Sequence, residues 1–166
     1  MRLDIVQADI TDQRVDAIVN AANSSLFGGG GVDGAIHKRG GKAILAECRE
    51  LRNTVYPDGL PAGQSVATTA GKLHAKWVIH TVGPIYRRGD AATLRSCYRT
   101  ALDVAAAVGA QSIAFPLISA GAFGWPADDA IRQALAEIRA TNHPGVATLV
   151  LWQPDTYQLA RTIAGA

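Results

Sequence analysis

The stretch VDAIVNAANSSLFGGGGVDGAIH, residues 15–37, decides how this chain is read. It opens on an apolar run, Ala17, Ile18 and Val19, with the length and β-branched content of a buried strand. It turns polar at Asn20 and Asn23, and four consecutive glycines follow at 28–31. After Asp33 and Gly34 the pattern becomes helical, with Ile36 on the inner face. Strand, amide-bearing bend, glycine loop and helix start therefore succeed one another. A glycine loop that opens a helix lets backbone N–H groups approach an anion, and the helix dipole adds to the attraction. Ordering four glycines costs entropy, which favours a ligand against the backbone over a loose surface loop. Asn23 and Asp33 flank that loop and are the side chains that could do chemistry there.

Working outward, residues 3–9 alternate as a first strand ending near Asp9, and Ile10-Thr11-Asp12 reads as a turn. The helix from Asp33 runs past Arg39 and breaks at Gly40-Gly41. A second helix carries Ile44, Leu45, Cys48 and Leu51 at helical spacing. Tyr56-Pro57-Asp58-Gly59 and Pro61-Ala62-Gly63 are turn chemistry. Two strands, 65–70 and 77–82, are linked too tightly for a crossover and are expected to pair antiparallel. Asp90 is a good N-cap for a long helix with Leu94, Tyr98, Ala101, Leu102, Ala105 and Val108 on one stripe, closed by Gly109. A buried strand over 112–118 runs into a small-residue loop, 119–126. Asp128 begins a helix, 146–152 is the last strand, and Pro154 starts a final helix. Alternating strands and helices predict an α/β fold, a three-layer α/β/α sandwich with a mixed, mostly parallel sheet of about six strands, formed by residues 1–166 as a single domain. In such sheets ligands sit beyond the carboxyl ends of the strands. The glycine-rich loops after Val19-Asn20 and after Ile118 both leave such ends, and facing each other they would clamp a diphosphate.

Composition narrows the function classes. Hydrophobic residues make up 48% and charged residues 18% of the 166, a globular balance with one sizeable core. A formal net charge of +2, with scattered Lys and Arg, gives no footprint for nucleic acid or an anionic membrane. No signal peptide or membrane span is read from the sequence, so a cytoplasmic protein is the expectation. Cys48 and Cys97 read as buried free thiols, with neither a disulfide framework nor a cysteine-based zinc site, and the four histidines show no metal-ligand spacing.

The motifs carry alternatives. Gly29-Gly30-Gly31-Val32-Asp33-Gly34 fits G-x-G-x-x-G, but the loop starts too far after the strand and no acidic residue closes the next one, against a dinucleotide site. No G-x-x-x-x-G-K-[ST] occurs. Asn20 and Asn23 fit capping or turn roles as well as ligand contact. Asp33 and His37, at i and i+4, share a helix face and fit either a dipole-favoured acid with a surface histidine or a functional pair. His80 reads as a hydrogen-bonded core histidine. Ser119 lacks the G-x-S-x-G elbow and reads as a phosphate-loop hydroxyl rather than a nucleophile. Trp152, at a strand end, is either core filler or a flat platform for a base.

Taken together, Asp9-Ile10-Thr11, 15–23, 28–37, Val78-Ile79-His80-Thr81-Val82-Gly83-Pro84 and 118–126 resemble the macrodomain family, specifically its MacroD-type branch. The resemblance spans nearly the whole chain in order. It implies the three-layer sandwich and ADP-ribose as ligand. It also implies hydrolysis of O-acetyl-ADP-ribose and removal of single ADP-ribose groups from Asp and Glu side chains of proteins. By position it implies that Asp9 accepts from the adenine amino group beside the Ile10 backbone and that Trp152 packs on adenine. Gly30, Gly31 and Val32 would form one phosphate loop, and Ser119, Ala120, Gly121, Ala122 and Phe123 the other. Asn23 and Asp33 would hold the distal ribose, His37 supporting Asp33, with Asp33 as water orienter or general base. No cofactor or metal is implied, and a monomer is expected, with nucleic acid a partner only as an ADP-ribosylated substrate. Ala8, Ala120 and Phe123 stand where the family usually has Gly, Thr and often Tyr. The rival readings are an ADP-ribose reader without turnover and a phosphatase of sugar nucleotides or RNA fragments.

Overall fold

A computed structural model describes residues 1–165. Six strands form one sheet: β1 (Arg2–Gln7), β2 (Ala17–Ala21), β3 (Ser65–Thr69), β4 (Trp77–Thr81), β5 (Ser112–Phe115) and β6 (Val146–Leu151), in the order β1-β6-β5-β2-β4-β3. The pairings are parallel except for the β3–β4 pair, which is antiparallel as its short link requires. The helices are α1 (Gly31–Gly40), α2 (Lys42–Asn53), α3 (Ala91–Ala107), α4 (Ala127–Ala140) and α5 (Pro154–Ala164). The α/β sandwich read from the sequence is the fold observed.

Strand alternation assigns the two layers of core. Val19, Ile79, Phe115 and Leu149 face one side and pack with Leu94, Tyr98, Ile131 and Ile138 of α3 and α4. Their neighbours Ile18, Val78, Ala114 and Val150 face the other side and pack with Ile36 of α1 and Ile44 and Cys48 of α2. Both faces are covered, which is why the central strands read as continuous apolar runs. Asp90 caps α3 by accepting from the Thr93 N–H.

Several boundaries differ from the sequence reading. β5 ends at Phe115 because Pro116 has no N–H to donate to a ladder, so 116–118 belong to the loop. β1 ends at Gln7, before Asp9, and β6 ends at Leu151, which leaves Trp152 outside the sheet. α4 begins at Ala127, directly after Pro126. α1 begins at Gly31, so Asp33 lies inside its first turn rather than at its start.

The parallel strands share one carboxyl edge. Along it, in spatial order, lie Asp9 and Ile10 after β1, Trp152 after β6, the loop after β5, and the glycine loop after β2. β2 and β5 are neighbours, and there the chain's progress across the sheet reverses. That is the switch point at which an open α/β sheet leaves a crevice.

Candidate functional site

The last buried position of β2 carries an amide. Asn20 is fully buried, and its Nδ2 donates to Asp33 Oδ1 at 2.8 Å and to His80 Nδ1 at 3.1 Å. The ring's other nitrogen, Nε2, lies 2.8 Å from Thr68 Oγ1, whose own proton goes to the Thr69 carbonyl at 3.0 Å. Thr68 must therefore accept, so His80 carries its proton on Nε2 and is neutral. One network joins β3, β4, β2 and α1, with the Asn20 amide at its centre donating one way to the Asp33 carboxylate and the other way to His80, which in turn donates to Thr68.

Burial, with His37 alongside, pushes the His80 pKa down to about 3, against the opposing pull of Asp33. The sign of the pH effect follows. Below its ordinary value of 6.5 the unfolded chain takes up a proton that folded His80 refuses, so stability falls as pH drops from 6.5 toward 3. His80→Gln, which keeps one acceptor and one donor, is expected to flatten this part of the acid limb, by roughly 1 kcal/mol per pH unit. Thermal melts of both proteins between neutral and mildly acidic pH check this. Parallel curves would remove His80 from the account.

Asp33 is only 4% exposed, and its second oxygen, Oδ2, is buried without a hydrogen-bond partner among the described residues. The glycine loop folds across it. A Cβ on Gly29 would meet the Asn23 amide and Asp33 Oδ2, and one on Gly34 would meet the Gly29 carbonyl. Asn23, at the exposed rim, donates to the Gly28 carbonyl at 3.2 Å. His37 Nε2 stands 3.4 Å from Asp33 Oδ1. The first turn of α1 has no side-chain cap, so its leading N–H groups face outward beside exposed Gly30 and Gly31. Gly31 has φ +57°, which a residue with a side chain adopts only under strain. Arg52 ties the loop down, donating to the Ser25 carbonyl at 2.9 Å and stacking on Phe27 at 4.9 Å.

The second loop is held from beneath. Ser119 has φ +67°, and its buried hydroxyl donates to the Pro84 carbonyl at 2.7 Å. This corrects the reading of Ser119 as a phosphate-loop hydroxyl: its proton is committed to a backbone carbonyl, and the loop presents backbone instead. Its carbonyl accepts from the Trp125 N–H, the Phe123 carbonyl accepts from the Tyr86 N–H, and Gly121 and Ala122 lie exposed at the tip. Ala120 and Phe123 are half-buried. The buried Tyr98 hydroxyl accepts from the Ile118 N–H at 3.0 Å, holding the base of the loop to α3. Gly83 leaves room for this loop, since a Cβ there would collide with Ser119 Oγ and the Ile118 side chain. Gly83→Ala is expected to cost about 1–3 kcal/mol and to speed amide exchange over 118–124. Wild-type unfolding and exchange would refute that packing.

At the far end, Asp9 Oδ1 accepts from the Thr11 N–H at 2.9 Å and from the Thr11 hydroxyl at 2.6 Å, capping the 3-10 turn Ile10–Asp12 and leaving its second oxygen over. Trp152 is 70% exposed, which rules out the core-filler reading. The structure thus gathers Asn23, Asp33, His37 and residues 30–32 on one side of the switch point and 119–123 on the other. It sets Trp152 one strand beyond β5, and Asp9 and Ile10 two strands beyond it.

Asn20, His80 and Thr68 were not read as one unit from the sequence. The signal was an asparagine in an apolar strand, and it becomes legible only with the register that sets Asn20 opposite His80. The four histidines show no metal-ligand spacing in the sequence, and the fold forms one grouping that spacing does not reveal. Donor atoms of His37, Cys48 and His80 lie within 4.8 Å of one another, brought together from α1, α2 and β4. Burial, then the charges of Asp33 and Glu47, pushes the Cys48 thiol up to about 12, and burial also raises Cys97. Neither is a nucleophile as it stands. No helix of the described residues is long and apolar enough to cross a membrane.

The Macro domain family model matches residues 19–134. The chain is similar to a macro domain-containing protein of Streptomyces griseus, 62% identical over 138 residues, covering 82% of this chain and 78% of that one. A Thermoplasma volcanium protein is 50% identical over 167 residues, covering 98% of this chain and 90% of its own. Among solved structures, the Oceanobacillus iheyensis macrodomain with ADP superposes with a TM-score of 0.96 at 39% identity, covering 98% of this chain and 90% of that one. The Trypanosoma brucei macrodomain in complex with ADP-ribose superposes with a TM-score of 0.89 at 35% identity, covering 99% of this chain and 69% of that one.

Proposed function

This chain belongs to the macro domain family, and we propose that it binds ADP-ribose and hydrolyses acyl esters of its distal ribose, in the manner of the MacroD-type branch. The substrates are O-acetyl-ADP-ribose and proteins carrying single ADP-ribose groups on Asp or Glu. The observation that carries this reading is the buried Asp33 carboxylate, with Oδ1 fixed by Asn20 and Oδ2 unpartnered beneath the Asn23 rim. A carboxylate kept out of water and short of a donor is suited to seizing and orienting one water molecule.

The ligand then lies along the carboxyl edge. Adenine rests on Trp152 and its amino group donates a hydrogen bond to the spare Asp9 oxygen, beside the Ile10 backbone. The diphosphate bends over the uncapped start of α1, taking N–H groups of Gly30, Gly31 and Val32 on one side and of residues 120–123 on the other. The distal ribose reaches Asn23. Water on Asp33 Oδ2 attacks the acyl carbon, the ribose oxygen leaves with the electron pair of the broken acyl–oxygen bond, and the water's proton passes by way of Asp33 or a ligand phosphate oxygen to that ribose oxygen, giving the free hydroxyl and the carboxylic acid. His37 stands beside the carboxylate from the next turn, 3.4 Å from Oδ1. Preorganised N–H groups and a fixed bend in the ligand supply much of the rate.

The test is calorimetric binding of ADP-ribose together with release of ADP-ribose from O-acetyl-ADP-ribose and from an aspartyl- or glutamyl-modified protein. Saturable binding with turnover is expected. Binding without turnover on either substrate would make the chain a reader, and absence of both would confine the family likeness to the fold.

A further inference from the structure

We propose that His37, Cys48 and His80 form a binding site for a thiophilic divalent cation, best represented by Zn²⁺, directly behind Asp33, and that filling it switches the carboxylate off. The donor set is two imidazoles and a thiol, the combination that selects Zn²⁺ over oxygen-seeking Mg²⁺ or Ca²⁺. The spacing is close to what is needed. Cys48 Sγ already lies 3.8 Å from His80 Nε2, and all three donor atoms fall within 4.8 Å. A tetrahedral zinc site sets N and S ligands about 3.4–3.6 Å apart, so side-chain rotations complete it without moving the backbone far. His37 Nε2 is buried with no hydrogen-bond partner among the described residues, and Asp33 Oδ1 at 3.4 Å from it is within reach as a fourth ligand.

The consequence for Asp33 follows from proton placement. The His80 nitrogen that faces Cys48 is the same Nε2 whose proton goes to Thr68. A cation on Nε2 displaces that proton, and the ring then carries its proton on Nδ1. Nδ1–H faces Asn20 Nδ2, donor against donor. The conflict is relieved when Asn20 turns its amide and offers Oδ1, which is otherwise buried without a partner. The turn withdraws Nδ2 from Asp33 Oδ1, the bond that orients the carboxylate. Cation binding and the aligned Asp33 are therefore mutually exclusive, which makes the cation an inhibitor rather than a cofactor. Binding releases the Cys48 thiol proton to solvent, and no redox change is involved.

The switching half rests on the hydrolase reading above, whereas the binding half does not, and the experiment separates them. Co²⁺ serves as the optical probe on the wild-type protein, with Cys48→Ala and His80→Gln as variants and melting curves to confirm that each is folded. A thiolate-to-cobalt charge-transfer band saturating at one equivalent, displaced by Zn²⁺ and lost in both variants, is expected. Absence of the band, or its persistence in Cys48→Ala, overturns the site. Turnover of O-acetyl-ADP-ribose by the wild type is then expected to fall at least tenfold in kcat with saturating Zn²⁺, with KM little changed. Cys48→Ala is expected to turn over like the metal-free wild type and to ignore Zn²⁺. Inhibition of Cys48→Ala by Zn²⁺ overturns the switch, as does a cobalt band with undiminished turnover. Loss of turnover without metal would count against the hydrolase reading alone, because the cobalt band would still decide the site.

Discussion

Asp33→Ala is expected to lower ADP-ribose release from O-acetyl-ADP-ribose by at least about 100-fold while leaving calorimetric ADP-ribose binding within a few fold of wild type. The asymmetry is the point of the prediction. The carboxylate lies under the loop, with one oxygen engaged by Asn20, and the proposed function assigns it to a water molecule and the scissile ester rather than to the bulk of the ligand. The N–H groups of α1 and of the second loop, to which the proposal assigns the diphosphate, are backbone and survive the substitution. Removing the buried charge also removes its desolvation cost, which offsets part of what is lost when the Asn20 amide loses its acceptor. An unchanged kcat would sink the assignment, and equal losses in binding and turnover would make Asp33 a pocket residue only.

Asn20→Ala is expected to be among the most destabilising single changes in this chain, at about 3 kcal/mol. The truncation strips a donor from a buried carboxylate and from a buried imidazole at once, and it leaves a small void. For a chain of this size the melting temperature should drop by roughly 6–12 °C. Turnover should fall with it, because Asp33 Oδ1 loses the bond that sets the carboxylate plane. Melting curves, with kcat measured well below the transition, test both halves. A melting temperature close to that of the wild type would mean that His80 and Asp33 find other partners, and that the network centred on Asn20 does not orient the carboxylate.

The layered α/β architecture was legible because it rests on short-range physics. Apolar runs such as Ala17-Ile18-Val19 and 146–151, an N-cap such as Asp90 and punctuation such as Gly40-Gly41 and Gly109 act over a few residues, and those residues are contiguous. The antiparallel β3–β4 pair was legible for the same reason, since a link that short allows no crossover. Element ends were less so. Pro116 cut β5 where apolarity alone ran on to Ile118, and α1 began at Gly31 because its first turn is built on backbone.

Asn23, Asp33 and the glycine loop stood out because one contiguous stretch holds them. Asp9 and Trp152 could be placed only at strand ends, and it is the strand order that ranges them along the same edge. The polar chain behind Asp33 was not legible. Asn20 read as a strand-closing amide and His80 as a satisfied core histidine, and each reading was locally adequate. The direction of the Ser119 hydroxyl, toward Pro84 and away from the loop tip, depends on a positive φ and on the space that Gly83 leaves beneath it.

By itself, then, the sequence determined which segments are strands and helices, which faces are buried and where a glycine loop opens a helix, because hydrophobic period, capping and glycine content are local. Only the tertiary structure decided that Asn20 lies opposite His80, that Thr68 stands behind the ring, and that His37, Cys48 and His80 converge from three elements. Those facts depend on strand register and helix placement, where hydrogen-bond partners distant in the chain become neighbours. A buried polar group takes its function from the partner that compensates it, and that partner is chosen by the fold.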